Sequence, residues 1–577
     1  MSHRFAIPFA AFALAACATV PAATTVEPPR IGQLDSADAG AQGIVSAADP
    51  RAAAAGAQIL RAGGSATDAA IATMLALTVV EPQSSGIGGG GFLLRADARG
   101  RVTTIDGRET APMAAGPEWF FRDGKPLAGR EAVPGGLSVG VPGNIRLAAE
   151  AHRASGKLGW RALFGPAIAL AREGFAISPR FHQVLDRYRV TGALDPDGKA
   201  LFYDAAGEPF AVGTIVRNPA LARTLEDLAA RGADSFYVGP NAQAIAAEVS
   251  AAPRNPAPMT AGDLAPYTAK PREPVCGEYR RHRICGMGPP SSGATTVLAI
   301  LGQLERFELG ALGKNSPVAW HLFAESQRLA FADREQFLAD ADFVLVPVSG
   351  LIDPAYLARR SALISHDRTL AKAEPGNPPG GPIMQTSGLT PAEHGTSHFV
   401  AVDRWGNAVT YTSTIESIFG SGLVVGGYYL NNELTDFSLV PTREGKPVAN
   451  RVEAGKRPRS SMAPTLVFGP DGRLKAALGA AGGATIIVQV AKAIVGMIDW
   501  GLPAQQAIAL PLLFAPTGTL AIEQGSALEP MIPALRALGH ADIQVRALPL
   551  KANAVERVGD RWLGAADPRS EGAAVAE

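Results

Sequence analysis

The stretch from Ala371 to Gly395 constrains this chain most, because it cannot be a regular element and yet it runs straight into one. It holds five prolines and five glycines and closes with TSGLTPAEHG. Proline removes a backbone donor and glycine loses the most entropy on ordering, so neither helix nor strand tolerates that density. Directly after it, Phe399, Ala401 and Val409 begin an apolar run broken at DRWGN, which predicts strand, turn and strand. A loose tail thus feeds a strand whose first residues are Thr396, Ser397 and His398. Chemistry is available at such a junction. A β-hydroxyl can attack the preceding carbonyl of a strained peptide and pass to an ester that water cleaves. Gly395 tolerates the backbone angles this needs. The product would begin at Thr396, with hydroxyl and free amine on one residue. An α-amine has a pKa of about 7.7–8.0, against about 10.4 for lysine. It can therefore serve as general base near neutral pH while the hydroxyl attacks an acyl carbon. A Gly-Thr step after a loop is common, so the junction alone assigns nothing.

A chain of 577 residues has room for several ordinary domains or one large one. Its formal charge is zero, only 18% of residues are charged, and no basic block occurs. Phosphate binding needs clustered Lys and Arg, so nucleic acid is excluded as a partner. The nine histidines are scattered without HExxH or paired His/Cys spacing, which predicts no metal site and no cofactor.

The N-terminus reads as an export signal, with Arg4 ahead of a short apolar core and then Leu14-Ala15-Ala16-Cys17. Two outcomes stay open: ordinary cleavage after a small residue, or a bacterial lipobox with Cys17 lipidated. In the second, Ala18 points to outer-membrane sorting and the following ATVPAATTVEPPR to a tether. The expected location is the periplasm, with the membrane touched only through the lipid. Export bears on the other two cysteines, because disulfides persist in that compartment. In PVCGEYRRHRICGM a two-residue turn at Arg280-Arg281 would set Cys276 opposite Cys285 across a hairpin. A disulfide and two buried free thiols both remain open.

Helices are predicted from Pro50 and from Ala66, the second with Ser65 and Asp68 in a capping-box pattern. Further helices are predicted at 144–154, 160–173, 218–231, 318–333 and 486–498, and strands at 92–95, 102–105, 399–402, 408–412 and 464–468. Strands and helices mix without strict alternation, which favours a layered α+β fold. Two motif matches fail on context. GIGGGG, Gly86 to Gly91, follows a helix and precedes a strand, the reverse of a dinucleotide site. GLSVG, around Ser138, lacks the strand before it and the immediate helix after it that a nucleophile elbow needs.

A longer series of segments then appears in order: GGSATDAAIATMLALTVVEPQSSGIGGGGF, DGRETAP, MTAGDLAPY, PPSSG, GTSHFVAVDRWGNAV, LNNELTDFS, GKRPRSSMAPT, GAAGG and GAADPR. Through these the sequence, from about Ser46 to Arg569, resembles the γ-glutamyltranspeptidases (glutathione hydrolases) among the N-terminal nucleophile hydrolases. The resemblance implies a four-layer αββα sandwich built from one self-cleaved chain. Its large subunit would span 41–395, with 371–395 as the tail, and its small subunit 396–577, behind a leader (1–16) and tether (17–40). It implies cleavage between Gly395 and Thr396, Thr396 as nucleophile, Thr414 as its hydrogen-bond partner, and the N–H groups of Gly482 and Gly483 as the oxyanion hole. Arg108 with Ser460 and Ser461 would hold the donor's α-carboxylate, and Glu433 with Asp436 its α-ammonium. Substrates would be γ-glutamyl amides, with water or an amino acid or dipeptide as acceptor. This chain departs from several members in having Glu416 where they carry Asn, and in a shorter segment between Asp436 and Ser460. Glu416 would either join the ammonium pocket or pair with Lys456 or Arg457. The alternatives are a glutaryl-amide acylase of the cephalosporin type and a non-cleaving periplasmic binding lipoprotein.

Overall fold

The computed structural model describes residues 1–3, 43–382 and 395–577. The leader, Cys17, the tether and tail residues 383–394 lie outside the described residues; 371–382 of the tail carry no helix or strand. Of the two units, Met1–Gly40 and Ala41–Glu577, the second holds the elements that follow. Its principal strands are β1 (Ile44–Ala47), β2 (Gly90–Ala96), β3 (Val102–Gly107), β4 (Lys270–Arg272), β5 (Val275–Tyr279), β6 (His282–Gly286), β7 (Ser397–Val402), β8 (Ala408–Thr414), β9 (Thr465–Phe468), β10 (Leu474–Ala481), β11 (Lys551–Val558), β12 (Arg561–Ala566) and β13 (Ala573–Ala576). The helices that layer on them are α1 (Pro50–Arg61), α2 (Ala66–Val80), α3 (Gly293–Leu304), α4 (Pro317–Phe337) and α5 (Thr485–Ile498).

Two antiparallel sheets result. A seven-stranded sheet runs β13-β1-β7-β8-β2-β3-β4, and a six-stranded sheet runs β12-β11-β10-β9-β6-β5. Strand β7 lies face to face with β10 and β11, while α1 and α2 cover the other side of the first sheet and α3 and α5 cover the second. This is the four-layer αββα sandwich. Residue alternation along the strands builds it. On β7, Val400 and Val402 join Leu466, Ala476 and Val555 in the core between the sheets. Phe399 and Ala401 point the other way, into a core with Ile71 and Leu75 of α2. A strand buried on both faces has no polar side, and all six residues of β7 are buried.

Local signals place the elements. Helix α2 opens with the Ser65–Asp68 capping box. The glycine run in GIGGGG serves packing. A Cβ on Gly88 would fall 2.0 Å from the Tyr429 carbonyl oxygen, and one on Gly89 2.0 Å from that of Thr414. Ser138 sits in a 3-10 turn and donates to the carbonyls of Val133 and Gly135. The hairpin β5–β6 turns at Arg280 and Arg281, both at positive φ, and sets Cys276 opposite Cys285 in a disulfide with Cα atoms 4.1 Å apart. Replacing both cysteines with serine should lower stability by about 2 kcal/mol, the low end for so short a loop, read as a shift in the urea midpoint. A non-reduced digest should yield the linked peptide.

Candidate active site

Register explains why Thr396 meets Thr414. Strands β7 and β8 pair Ser397 with Ser413, and one further step along the same ladder sets Thr414 opposite Thr396. Their hydroxyl oxygens are 3.3 Å apart, and the Thr414 hydroxyl lies 3.3 Å from the Gly395 carbonyl oxygen. The Thr396 hydroxyl itself closes on that same carbonyl. The Glu416 N–H donates to Thr414 Oγ1 at 2.8 Å, so that hydroxyl's own proton is available to the Gly395 carbonyl. Gly395 is held from the other side, its N–H donating to the Glu416 carbonyl at 2.5 Å. No side chain fits there, because a Cβ on Gly395 would fall 2.4 Å from that carbonyl. Glu416 adopts the left-handed region, φ 75°, which few non-glycine residues occupy. The backbone is therefore bent around one scissile-looking peptide, with two hydroxyls on it.

The second cluster centres on Arg108, which follows β3 and is only 1% exposed. Its Nη1 donates to Glu433 and its Nη2 to Asp436, while Nε and Nη2 also reach the carbonyls of Pro458 and Arg459 at 3.1 and 3.0 Å. The two groups assigned to opposite ends of a donor are thus paired with each other in the empty site. Glu433 comes from a 3-10 turn, Glu433–Asp436, that Asn431 and Asn432 set in place. Burial raises the Glu433 pKa well above the usual carboxylate range, against the pull of Arg108 and with help from Glu109 and Glu416. Burial also pushes Glu109 up to about 7, Arg108 opposing.

Ser460 and Ser461 adjoin the Arg108 cluster. Arg459, whose carbonyl takes Arg108, precedes Ser460 and Ser461. The Ser460 hydroxyl accepts from the Met462 N–H, and Ser461 accepts from Arg334 at 2.6 Å. Gly482 and Gly483 end β10 at φ 124° and 63°. A Cβ on Gly482 would fall 2.3 Å from the Pro549 carbonyl, so glycine is required on both counts. Glu416 accepts from Ser417 and Asn432 and acts on Glu433. Lys456 and Arg457, its alternative partners, are taken by Glu453 and Asp106. The short segment after Asp436 carries a two-residue-per-arm hairpin, Thr442–Arg443 with Lys446–Pro447.

Sequence reasoning missed Glu109, Arg334 and Arg459. Glu109 adjoins Arg108 in DGRETAP, and that adjacency was its only signal; Arg334 reaches Ser461 from α4, far away in the chain. Among the described residues one set could ligate a metal: His321, Glu325 and His540. Their polar atoms already meet protein partners: His321 meets His540 and the Ser365 carbonyl, and Glu325 meets Arg328 and the Leu370 N–H.

The four-layer fold is that of the N-terminal nucleophile hydrolases. The family model of γ-glutamyltranspeptidase matches residues 52–577. The glutathione hydrolase proenzyme of Bacillus subtilis is 34% identical over 95% of this chain and 94% of its own length. The acylase ACY 1 proenzyme of Pseudomonas sp. SE83 is 36% identical over 93% and 94%. The crystal structure of a cephalosporin acylase from Bacillus halodurans matches with a TM-score of 0.82 at 28% identity, over 93% of this chain and 96% of that one. The chain belongs to the γ-glutamyltranspeptidase family.

Arg108→Met should cost about 3–5 kcal/mol of stability at neutral pH, because it leaves buried carboxylates without their cation. The variant's acids have folded pKa values above their unfolded ones, so the loss should shrink as pH falls and they protonate. Urea unfolding at two pH values reads both effects.

Proposed function

We propose that this chain cuts itself between Gly395 and Thr396 and then acts as a γ-glutamyl hydrolase and transferase. Glutathione or other γ-glutamyl amides would be its donors. One observation carries the reading: the Thr396 hydroxyl rests on the carbonyl it would attack, with Thr414 placed to polarise it. Attack of Oγ on the Gly395 carbonyl carbon forms an ester and releases the Thr396 amine. Water then hydrolyses the ester and leaves a Gly395 carboxylate on the large subunit, 41–395.

In the mature site the α-amine takes the proton of the Thr396 hydroxyl as Oγ bonds to the γ-carbonyl carbon of the donor. The N–H groups of Gly482 and Gly483 would take the oxyanion, each such donor contributing ~3 kcal/mol to the transition state. The ammonium so formed returns its proton to the leaving amine as the C–N bond breaks. Water, or the amine of an amino acid or dipeptide, then attacks the γ-glutamyl ester. The large and small subunits would stay together, since β7 of the small one lies between β1 and β8 in the same sheet.

The Arg108 cluster bears on donor choice. A zwitterionic γ-glutamyl head can slip its carboxylate onto Arg108, with Ser460 and Ser461, and its ammonium onto Glu433 and Asp436. Each charge then keeps a partner. A glutaryl head offers only the carboxylate, so it would take Arg108 from two buried acids and give them nothing. This favours the γ-glutamyl reading over the acylase one, although acylases stand among the relatives. Export with a lipid on Cys17 is supported by the leader's residues; no described helix is long and apolar enough to cross a membrane.

The purified protein should run as two pieces, the smaller of 577 − 395 = 182 residues, and its N-terminal sequence should read Thr-Ser-His-Phe. Thr396→Ala should stay whole and inactive; cleavage at this bond in that variant would refute the mechanism. Turnover of γ-glutamyl-p-nitroanilide should exceed that of its glutaryl counterpart in kcat/KM by roughly 30-fold or more, the equivalent of losing a desolvated charge pair. Equal efficiency would favour the acylase.

A further inference from the structure

Two carboxyl groups, Glu109 and Glu433, adjoin in the Arg108 cluster, and of the two only Glu433 takes a hydrogen bond from that cation. Glu109 is fully buried and neither of its oxygens accepts a hydrogen bond; Glu433 Oε2 is likewise buried without one. The two side chains are close enough that each alters the other's hold on a proton. Arg108 does not separate them. Its Nη1 is spent on the other Glu433 oxygen and stands 4.0 Å from Glu109 Oε2. Nor can Glu109 swing away. A Cβ on Gly90 would fall 2.5 Å from Glu109 Oε2, and one on Gly140 2.8 Å from the Glu109 Cβ, so β2 and the Gly140 turn clamp it. The other charged and titratable groups around the pair are Asp436 and Glu416, which add negative charge, and Tyr237, Tyr267 and Tyr411, whose phenols burial keeps neutral.

Two ionised carboxylates side by side in a buried pocket are both acceptors and repel each other, whereas one proton joins an oxygen of each in an O–H···O contact. We propose that Glu109 and Glu433 share one proton in the empty site, and that the donor's ammonium expels it on binding. The proposal rests on the γ-glutamyl reading in taking that ammonium as the arriving cation. Glu109 is then a positioning residue: it holds Glu433 in place without touching the reacting atoms. The direction of the pH effect follows from linkage. Burial raises Glu433 well above the carboxylate range and Glu109 to about 7, so the pair still holds its shared proton at about pH 6.5. Binding that releases it must strengthen as pH rises, until the free enzyme has itself lost the shared proton.

Calorimetry of L-glutamate binding to the mature enzyme, in two buffers of different ionisation heat at about pH 6.5, counts the protons released. About one per glutamate is expected from the parent enzyme and none from Glu109→Gln, whose amide N–H replaces the shared proton. In parallel, KM for γ-glutamyl-p-nitroanilide should fall by up to tenfold for each unit that the pH is raised from about 5.5 to 6.5 in the parent and stay flat in the variant. Zero release in the parent enzyme, or equal release by both proteins, would overturn the proposal. Hydrolysis of γ-glutamyl-p-nitroanilide is scored separately. If the substrate is turned over and no proton leaves, only this inference falls; if it is not turned over at all, the donor reading fails first.

Discussion

The ion cluster around Arg108 is the interaction on which the site depends. A guanidinium almost wholly removed from water must be neutralised, and here Glu433 and Asp436 do it from a single 3-10 turn. The same side chain reaches the carbonyls of Pro458 and Arg459 and so pins the segment that carries Ser460 and Ser461. Asp106, two residues upstream, repeats the device by accepting from Arg457 and Arg272. Three distant stretches are thereby fixed by charge pairs that cannot be broken singly without stranding an ion.

Close backbone approach supplies the second constraint. Gly88, Gly89, Gly395 and Gly482 each pass a carbonyl oxygen at a distance that admits no Cβ. Gly89 lets the turn before β2 press on the end of β8, where Thr414 stands, and Gly88 lets it press on Tyr429. Gly395 lets the scissile peptide lie against Glu416. A methyl on Gly89 or Gly395 would move Thr396 relative to Thr414, and a nucleophile displaced by an ångström loses most of its orientation advantage.

Several elements were legible beforehand for identifiable reasons. The capped helix α2, the two-residue turn at Arg280-Arg281 and the strand after Thr396 all carry local signals. Strands β10 and β11 gave weaker ones. LKAALGAA and KANAVERV are rich in alanine, which suits a helix, and they become strands because small side chains let the two sheets approach. On β10, Gly479 even accommodates the ring of His398, whose Cε1 would sit 2.4 Å from an added Cβ. Tertiary packing overrode propensity there.

The sequence by itself determined the reactive pieces: a Gly-Thr junction behind a tail that cannot fold regularly, and a family series that named Arg108, Glu433, Asp436, Ser460, Ser461 and the Gly482–Gly483 pair. It did so because those pieces are chemical or local in origin. The tertiary structure alone decided how they combine. It set Thr414 against Thr396 through the register of β7 and β8, paired Arg108 with the acids it was expected to oppose, and brought Glu109 to face Glu433. The first depends on strand register within one sheet, and the other two join residues more than three hundred positions apart, so no local pattern encodes them.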